Sequence, residues 1–334
     1  MSRLRCLAAL VGFAALAGGA PLADAQTGDV PSELVDYAFP EDTELAAGAV
    51  YTVTGTLVVP TGVTLVLPPD VELRFNRGAG LDIFGKLAVS PDDGARPVLT
   101  ANGAAPVPGD WRGIRLAAPN AFLQTLQIRY ADVGIDVEQA SGDIIFNCEV
   151  LDFKTTGIRL GPEVPDTLSF NALVENRLEN TPGPRGTGID VQPGVGIVVD
   201  GVRVSGMDRG IAFGAGSSEF FAQIAGSIIE NSTVGVEVVP FGAPAIMGSS
   251  FSNNGTAVRF TPDTIVAGSL NGNVLENNGI NLDLRAVLLP QPSLYDARNN
   301  AWGPTDPFEI AATILDFAED ARAPMACFTE DCMH

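Results

Sequence analysis

Histidine is all but missing from this chain: there is one, His334, the last of 334 residues. Serine–histidine triads, histidine-bearing zinc hydrolase sites and histidine-dependent lyase chemistry have nothing to be built from. Lysine is nearly as scarce, with only Lys86 and Lys154. Lys and Arg together number 19 against 40 Asp and Glu, a formal net charge of −21. Such a field repels nucleic acid, anionic lipid and, without a bridging divalent cation, acidic polysaccharide. A nucleic-acid partner is therefore not expected. Long apolar runs are missing beyond the N-terminus, which argues against a membrane span. Loops that alternate Asp with Gly in the manner of a calcium site are missing too. No metal or cofactor is expected.

Cysteine is limited to four residues. Cys6 lies in the N-terminal segment, where Arg3 and Arg5 precede an apolar stretch from Leu7 to Ala20 and the small-residue phrase Ala23-Asp24-Ala25. That pattern predicts a signal peptide over 1–25, cleaved after Ala25, and a secreted or periplasmic protein. Export permits a disulfide between Cys327 and Cys332, close together in the tail. Cys148, in the run DIIFNCEV, reads as a small buried hydrophobe.

What the chain does have is a phrase that returns. Gly113-Ile-Arg-Leu116 and Gly134-Ile-Asp-Val137 come first, then Gly157-Ile-Arg-Leu160 and Gly188-Ile-Asp-Val191. Gly210-Ile-Ala-Phe213, Gly235-Val-Glu-Val238, Ala257-Val-Arg-Phe260 and Gly279-Ile-Asn-Leu282 continue the series. Their first residues are 21, 23, 31, 22, 25, 22 and 22 apart. A nearly constant period of this size marks a solenoid, and the short apolar runs are β-type. Before the glycines come polar turns at Asn180, Asn231, Asn253-Asn254 and Asn277-Asn278. Asn tolerates the left-handed backbone, and stacked Asn side chains can bond in a ladder. Asn231-Ser-Thr and Asn254-Gly-Thr also match a glycosylation acceptor pattern; the turn reading is simpler. Asp132, Asp200 and Asp208 read as turn formers, and Asp92-Asp93 as loop.

These coils, Asn-rich turns and glycine-led strands resemble the right-handed parallel β-helix proteins of the pectin-lyase-like group, exported type. The resemblance covers nearly all of Tyr51 to Pro304. It is carried also by GTLVVPTGVTLVLPPDVELRF (55–75), GDWRGI (109–114), IRYADVGI (128–135) and NNAWGP (299–304). Pro69-Asp70-Val71 departs from the Pro-Gly-Val usual in that group. The resemblance implies an all-β, right-handed parallel β-helix solenoid. It implies no one activity, because lyases, hydrolases, epimerases and adhesins share the fold.

The expected organisation is a signal peptide over 1–25, a polar segment over 26–50 folded on the first coil, the β-helix over 51–304, and a C-terminal cap and tail over 305–334. Ile310, Ile314 and Phe317 recur at helical spacing and predict a short amphipathic cap helix. Trp302 is expected to pack at the last coil.

If the recurring phrase is one strand of a stacked sheet, its third residue points outward between two inward apolar ones. Those residues are Arg115, Asp136, Arg159, Asp190, Ala212, Glu237, Arg259 and Asn281. Alternating charge in such a file opposes a slip of one coil, though each exposed pair contributes only about 0–1 kcal/mol. Arg115, Asp136, Arg159, Asp190, Glu237, Arg259 and Asn281 are then candidate contacts for the hydroxyls of an envelope or extracellular polysaccharide. This favours a non-catalytic binding or scaffolding protein. The alternative is a glycoside hydrolase or polysaccharide lyase with Asp136, Asp190 or Glu237 as catalytic carboxylates. Asp136 and Asp190, two rungs apart, would lie about 9.6 Å from each other, near the inverting range. Arg159 between them lowers both pKa values, which suits a general acid poorly.

Overall fold

Short strands with one apolar face cannot stand alone; they must pair their backbone groups and bury that face. Here both needs are met by winding. The computed structural model describes residues 30–90, 95–162, 171–181, 183, 185–214, 222–239, 244–261, 268–285, 294–316 and 325–328. In each full coil the chain lays one strand in each of three sheets, and every strand pairs in parallel with its counterpart one coil away. Sheet 1 has seven strands, from Phe122–Gln124 to Ser269–Asn271. Sheet 2 has eleven, from Glu33–Val35 to Val274–Glu276. Sheet 3 also has eleven, from Thr56–Val59 to Ile314–Leu315. In the first coils a three-stranded sheet of Thr43–Glu44, Thr64–Leu67 and Lys86–Val89 takes the place of sheet 1. The protein is an all-β parallel β-helix.

The recurring phrase builds sheet 3. Its second residue forms one continuous column from Ile114 through Ile135, Ile158, Ile189, Ile211 and Val236 to Val258, which Leu282 and Ile314 continue in register. All are at most 3% exposed. Sheet 2 supplies the facing column of Ile128, Val150, Leu178, Val204, Ile229, Phe251 and Leu275, all fully buried. The leading glycine has a separate cause. A Cβ at Gly188 would lie 2.5 Å from the Gly210 carbonyl oxygen and 2.7 Å from Val204 Cγ1. Backbone of the next coil cannot yield to it.

The turns follow a two-residue rule. The first residue is left-handed: Asn231, Asn253 and Asn277 have φ of 54°, 56° and 56°. The second points inward, and its N–H donates to the side chain below. Met207 N–H donates to Ser232 Oγ (3.3 Å), Ser232 N–H to Asn254 Oδ1 (3.0 Å) and Asn254 N–H to Asn278 Oδ1 (2.9 Å). A parallel ladder runs through Ser227, Ser249, Asn273 and Asn300 at the other short turn. Asn180, 2% exposed, instead donates to the Arg185 carbonyl. Asn254 is 3% exposed, so its acceptor pattern serves the ladder.

The two ends differ from a simple lid and cap. Glu33–Val35 already pairs with Thr52–Thr54, so the stack begins upstream of Tyr51, and Leu34, Phe39 and Leu45 close the top of the core. At the far end the only described helix, α1 (Pro307–Ala311), is five residues long and buries none of them. The amphipathic helix expected through Ile314 is corrected: Ile314 is a strand residue paired with Leu282. The open edge of sheet 3 supplies backbone partners and an apolar column that helical spacing does not. Phe317 lies outside the described residues, as do the signal segment, Asp92-Asp93 and Cys332. Trp302 is 4% exposed and meets Phe328 edge-on at 6.4 Å.

Gly188→Ala is expected to lower unfolding stability by about 1–3 kcal/mol through overpacking against backbone. The check is the urea midpoint at unchanged slope; an unchanged midpoint would contradict the close approach.

A charged file on sheet 3 as the candidate functional site

Between the two inward apolar residues of each sheet 3 strand, one side chain faces out. Pairing sets these in a single file: Arg115 beside Asp136, Asp136 beside Arg159, and Arg159 beside Asp190, then Ala212, Glu237 and Arg259. The structure thus brings together six of the seven candidate residues. It also extends the file at both ends. Asp82 pairs with Arg115, and Asp283 pairs with Arg259.

Asn281 requires a correction. Its coil is two residues longer than the phrase suggests, so Gly279 stacks on Gly255 and Asn281 falls on the column of Ala257. It is 2% exposed, accepts from Asn278 Nδ2 (3.0 Å) and donates to Thr313 Oγ1 (3.0 Å). The side chain that occupies the outward rung is Asp283.

The charges of the file are met by one another and by side chains that flank it. Arg115 reaches Asp82 at 3.6 Å and Glu138 at 2.6 Å. Arg159 sits 3.4 Å from Asp136 and 3.9 Å from Asp190. Glu237 is held from both sides, by Arg209 at 3.2 Å and by Arg259. Asp283 pairs with Arg285 at 2.9 Å. Ala212 places a neutral rung where Asp190 would otherwise neighbour Glu237. Burial separates two of these acids. The Glu237 side chain is 8% exposed. Burial works to raise its pKa, but hydrogen bonds from Arg259 and Arg209 outweigh it and hold the carboxyl below its ordinary value. For Asp136 burial prevails over the nearby Arg159, and its pKa is pushed up.

A hydrolytic pair needs two carboxylates free to exchange protons at the right separation. Each acid of this file contacts an arginine instead. Among the described residues no group of three or more His, Cys, Asp and Glu is placed to hold a metal ion. No described helix is long and apolar enough to cross a membrane. Cys148 is buried and its thiol is pushed up to about 12, which makes it inert packing. Cys327 is disulfide-bonded; the expected partner, Cys332, lies outside the described residues.

Sequence reasoning missed a second polar surface on sheet 2. Arg177, Glu179, Arg203, Ser205, Glu230 and Asn231 line a shallow depression there. Its signal was present in Arg177-Leu-Glu179, Arg203-Val-Ser205 and Ile228-Ile-Glu230, three strands with one inward residue between two outward ones. Asp82 had a signal as well: Gly80-Leu-Asp-Ile83 is the recurring phrase with Leu for Ile.

The two pKa directions make opposite predictions. Glu237, held down, stabilises the fold above its unfolded pKa, and that contribution is lost as pH falls through its lower folded value. Asp136, held up, favours the fold more as pH falls. Glu237→Gln is therefore expected to cost about 1–2 kcal/mol at pH 7, and Asp136→Asn less than about 0.5 kcal/mol. Urea unfolding of both variants at pH 7 and pH 4 checks the order, which should narrow at the lower pH.

No protein-family model matches the chain, and no curated protein matches it. A solved structure that it resembles is the crystal structure of Dettilon tailspike protein (gp208), at 14% identity and a TM-score of 0.38. The match covers 86% of this chain, which spans 62% of that one.

Proposed function

We propose that this is an exported, non-catalytic β-helix protein that binds or scaffolds an extracellular or envelope polysaccharide through its repeating polar outer faces. The carrying observation is the charge file. Asp82, Asp136, Asp190, Glu237 and Asp283 each lie within ion-pair reach of an arginine. Carboxylates so held make rigid, ordered acceptors, and the guanidinium groups beside them make ordered donors. That suits recognition of hydroxyl groups and not proton shuttling. The regular rung spacing matches a ligand that itself repeats. Arg115, Asp136, Arg159, Asp190, Glu237 and Arg259 are the candidate contacts on sheet 3. Export rests on the N-terminal segment with its Ala25 cleavage signal, and the disulfide at Cys327 accords with an oxidising compartment.

One observation favours a hydrolase instead: the upward shift of Asp136, a step toward a general acid with Asp190 as base. Arg159 touches both, which weighs against it.

Incubation of the full chain with a panel of neutral and acidic polysaccharides separates the readings. Retention on at least one polymer, with no new reducing ends or unsaturated products, is the expected result. Product formation that Asp190→Asn abolishes would establish the enzyme.

A further inference from the structure

The outer face of sheet 2 breaks the rule that sheet 3 obeys. Arg177 and Arg203 occupy directly paired positions on neighbouring coils, the only like charges so opposed in the described strand pairs. Such neighbours repel and destabilise a sheet; Arg177 opposes Glu149 on its other side, but Arg203 opposes Ile228, so the register of the stack does not call for Arg203. In the adjoining column Ser205 pairs with Glu179 on one side and Glu230 on the other. The column continues as Ser252 and Glu276, so serine and glutamate alternate over five rungs. Serine is the smallest of these side chains, and Ser205 leaves the floor of the depression between the two glutamates.

The groups around that floor are ordered. Arg177 Nε donates to Glu179 at 3.0 Å, and Arg203 donates to Glu230 at 2.5 Å. Asn231 donates to Ser205 Oγ at 3.2 Å. Both arginine side chains remain about half exposed, 48% and 51%, with guanidinium N–H groups left for a ligand. Two cations and two anions leave the lining neutral. An anionic sugar would meet two carboxylates within a chain of net charge −21; a cationic one would meet two guanidinium groups. A neutral ring rich in hydroxyls is served by both, since each hydroxyl can donate to a carboxylate and accept from a guanidinium.

We infer that this depression is a subsite for a neutral polysaccharide, with one sugar ring over Ser205 and the polymer running along the column toward Glu276. The inference rests on the polysaccharide-binding reading and deepens it, by giving the face and the ligand class.

The test is calorimetric titration of the full chain with neutral oligosaccharides of glucose, mannose and galactose, and with oligogalacturonate as the acidic probe. Ser205→Trp fills the floor, and Asn231→Ala and Arg203→Ala remove contacts. Arg203→Ala relieves the arginine repulsion but also removes the partner of Glu230, so its melting temperature is measured beside its affinity. Each is expected to weaken a neutral ligand by about tenfold, and Arg74→Ala, on the same sheet but outside the depression, by less than about twofold. Neutral binding should hardly change with salt, as befits an uncharged ligand. Wild-type binding that survives Ser205→Trp, Asn231→Ala and Arg203→Ala overturns the subsite and leaves polysaccharide binding standing. Preference for oligogalacturonate overturns the ligand class. Failure of the wild type to bind any glycan in this titration or in the wider polysaccharide panel overturns both readings.

Discussion

Parallel pairing of each strand with its equivalent one coil away is the constraint on which everything else depends. It sets a single repeat of about 4.8 Å along the stack. Every side chain then has a like-placed neighbour above and below. A position is tolerable only if it suits its own kind. Ile and Val do so by packing, as the column from Ile114 to Ile314 shows. Glycine does so by having no Cβ where backbones crowd, at Gly188 and Gly210. Asn and Ser do so by passing a hydrogen bond from one coil to the next, from Ser232 through Asn254 to Asn278.

Charge is the one property that does not suit its own kind. Sheet 3 resolves this by alternation, from Asp82 through Arg115, Asp136 and Arg159 to Asp190, and by the neutral Ala212 where alternation would fail. Its charges are consequently each met by an opposite one. Sheet 2 does not follow the rule at Arg177 and Arg203. A stack that alternates so consistently elsewhere tolerates repulsion at one place, and that place is a depression lined by ordered donors and acceptors. Departure from local consistency is where function is best sought.

The solenoid was legible in the sequence because the repeat is short and its glycine, isoleucine and outward residue each have an independent physical cause. Six members of the file were legible for the same reason. Asn281 was misplaced because its coil is two residues longer than the one before it, so Gly279-Ile-Asn-Leu282 imitates the phrase two residues early. Only strand pairing reveals that Gly279 sits on Gly255. The cap helix ends at Ala311, short of Ile314, because three apolar residues at helical spacing say nothing about an open sheet edge nearby. The sheet 2 depression was hidden because its meaning lies in which rungs oppose each other, not in any one strand.

Vertical order in the file is the central claim, and a distance measured along it is the direct test. Spin labels on cysteines replacing Arg115 and Arg259 are separated by six rungs, since the described pairs run through Asp136, Arg159, Asp190, Ala212 and Glu237. Cys148 is buried with its thiol pushed up to about 12 and will not take label. Pulsed electron resonance should give one narrow distribution corresponding to a backbone separation of about 29 Å. A broad distribution, or one centred well away from that distance, would contradict the stack and with it every placement derived from it.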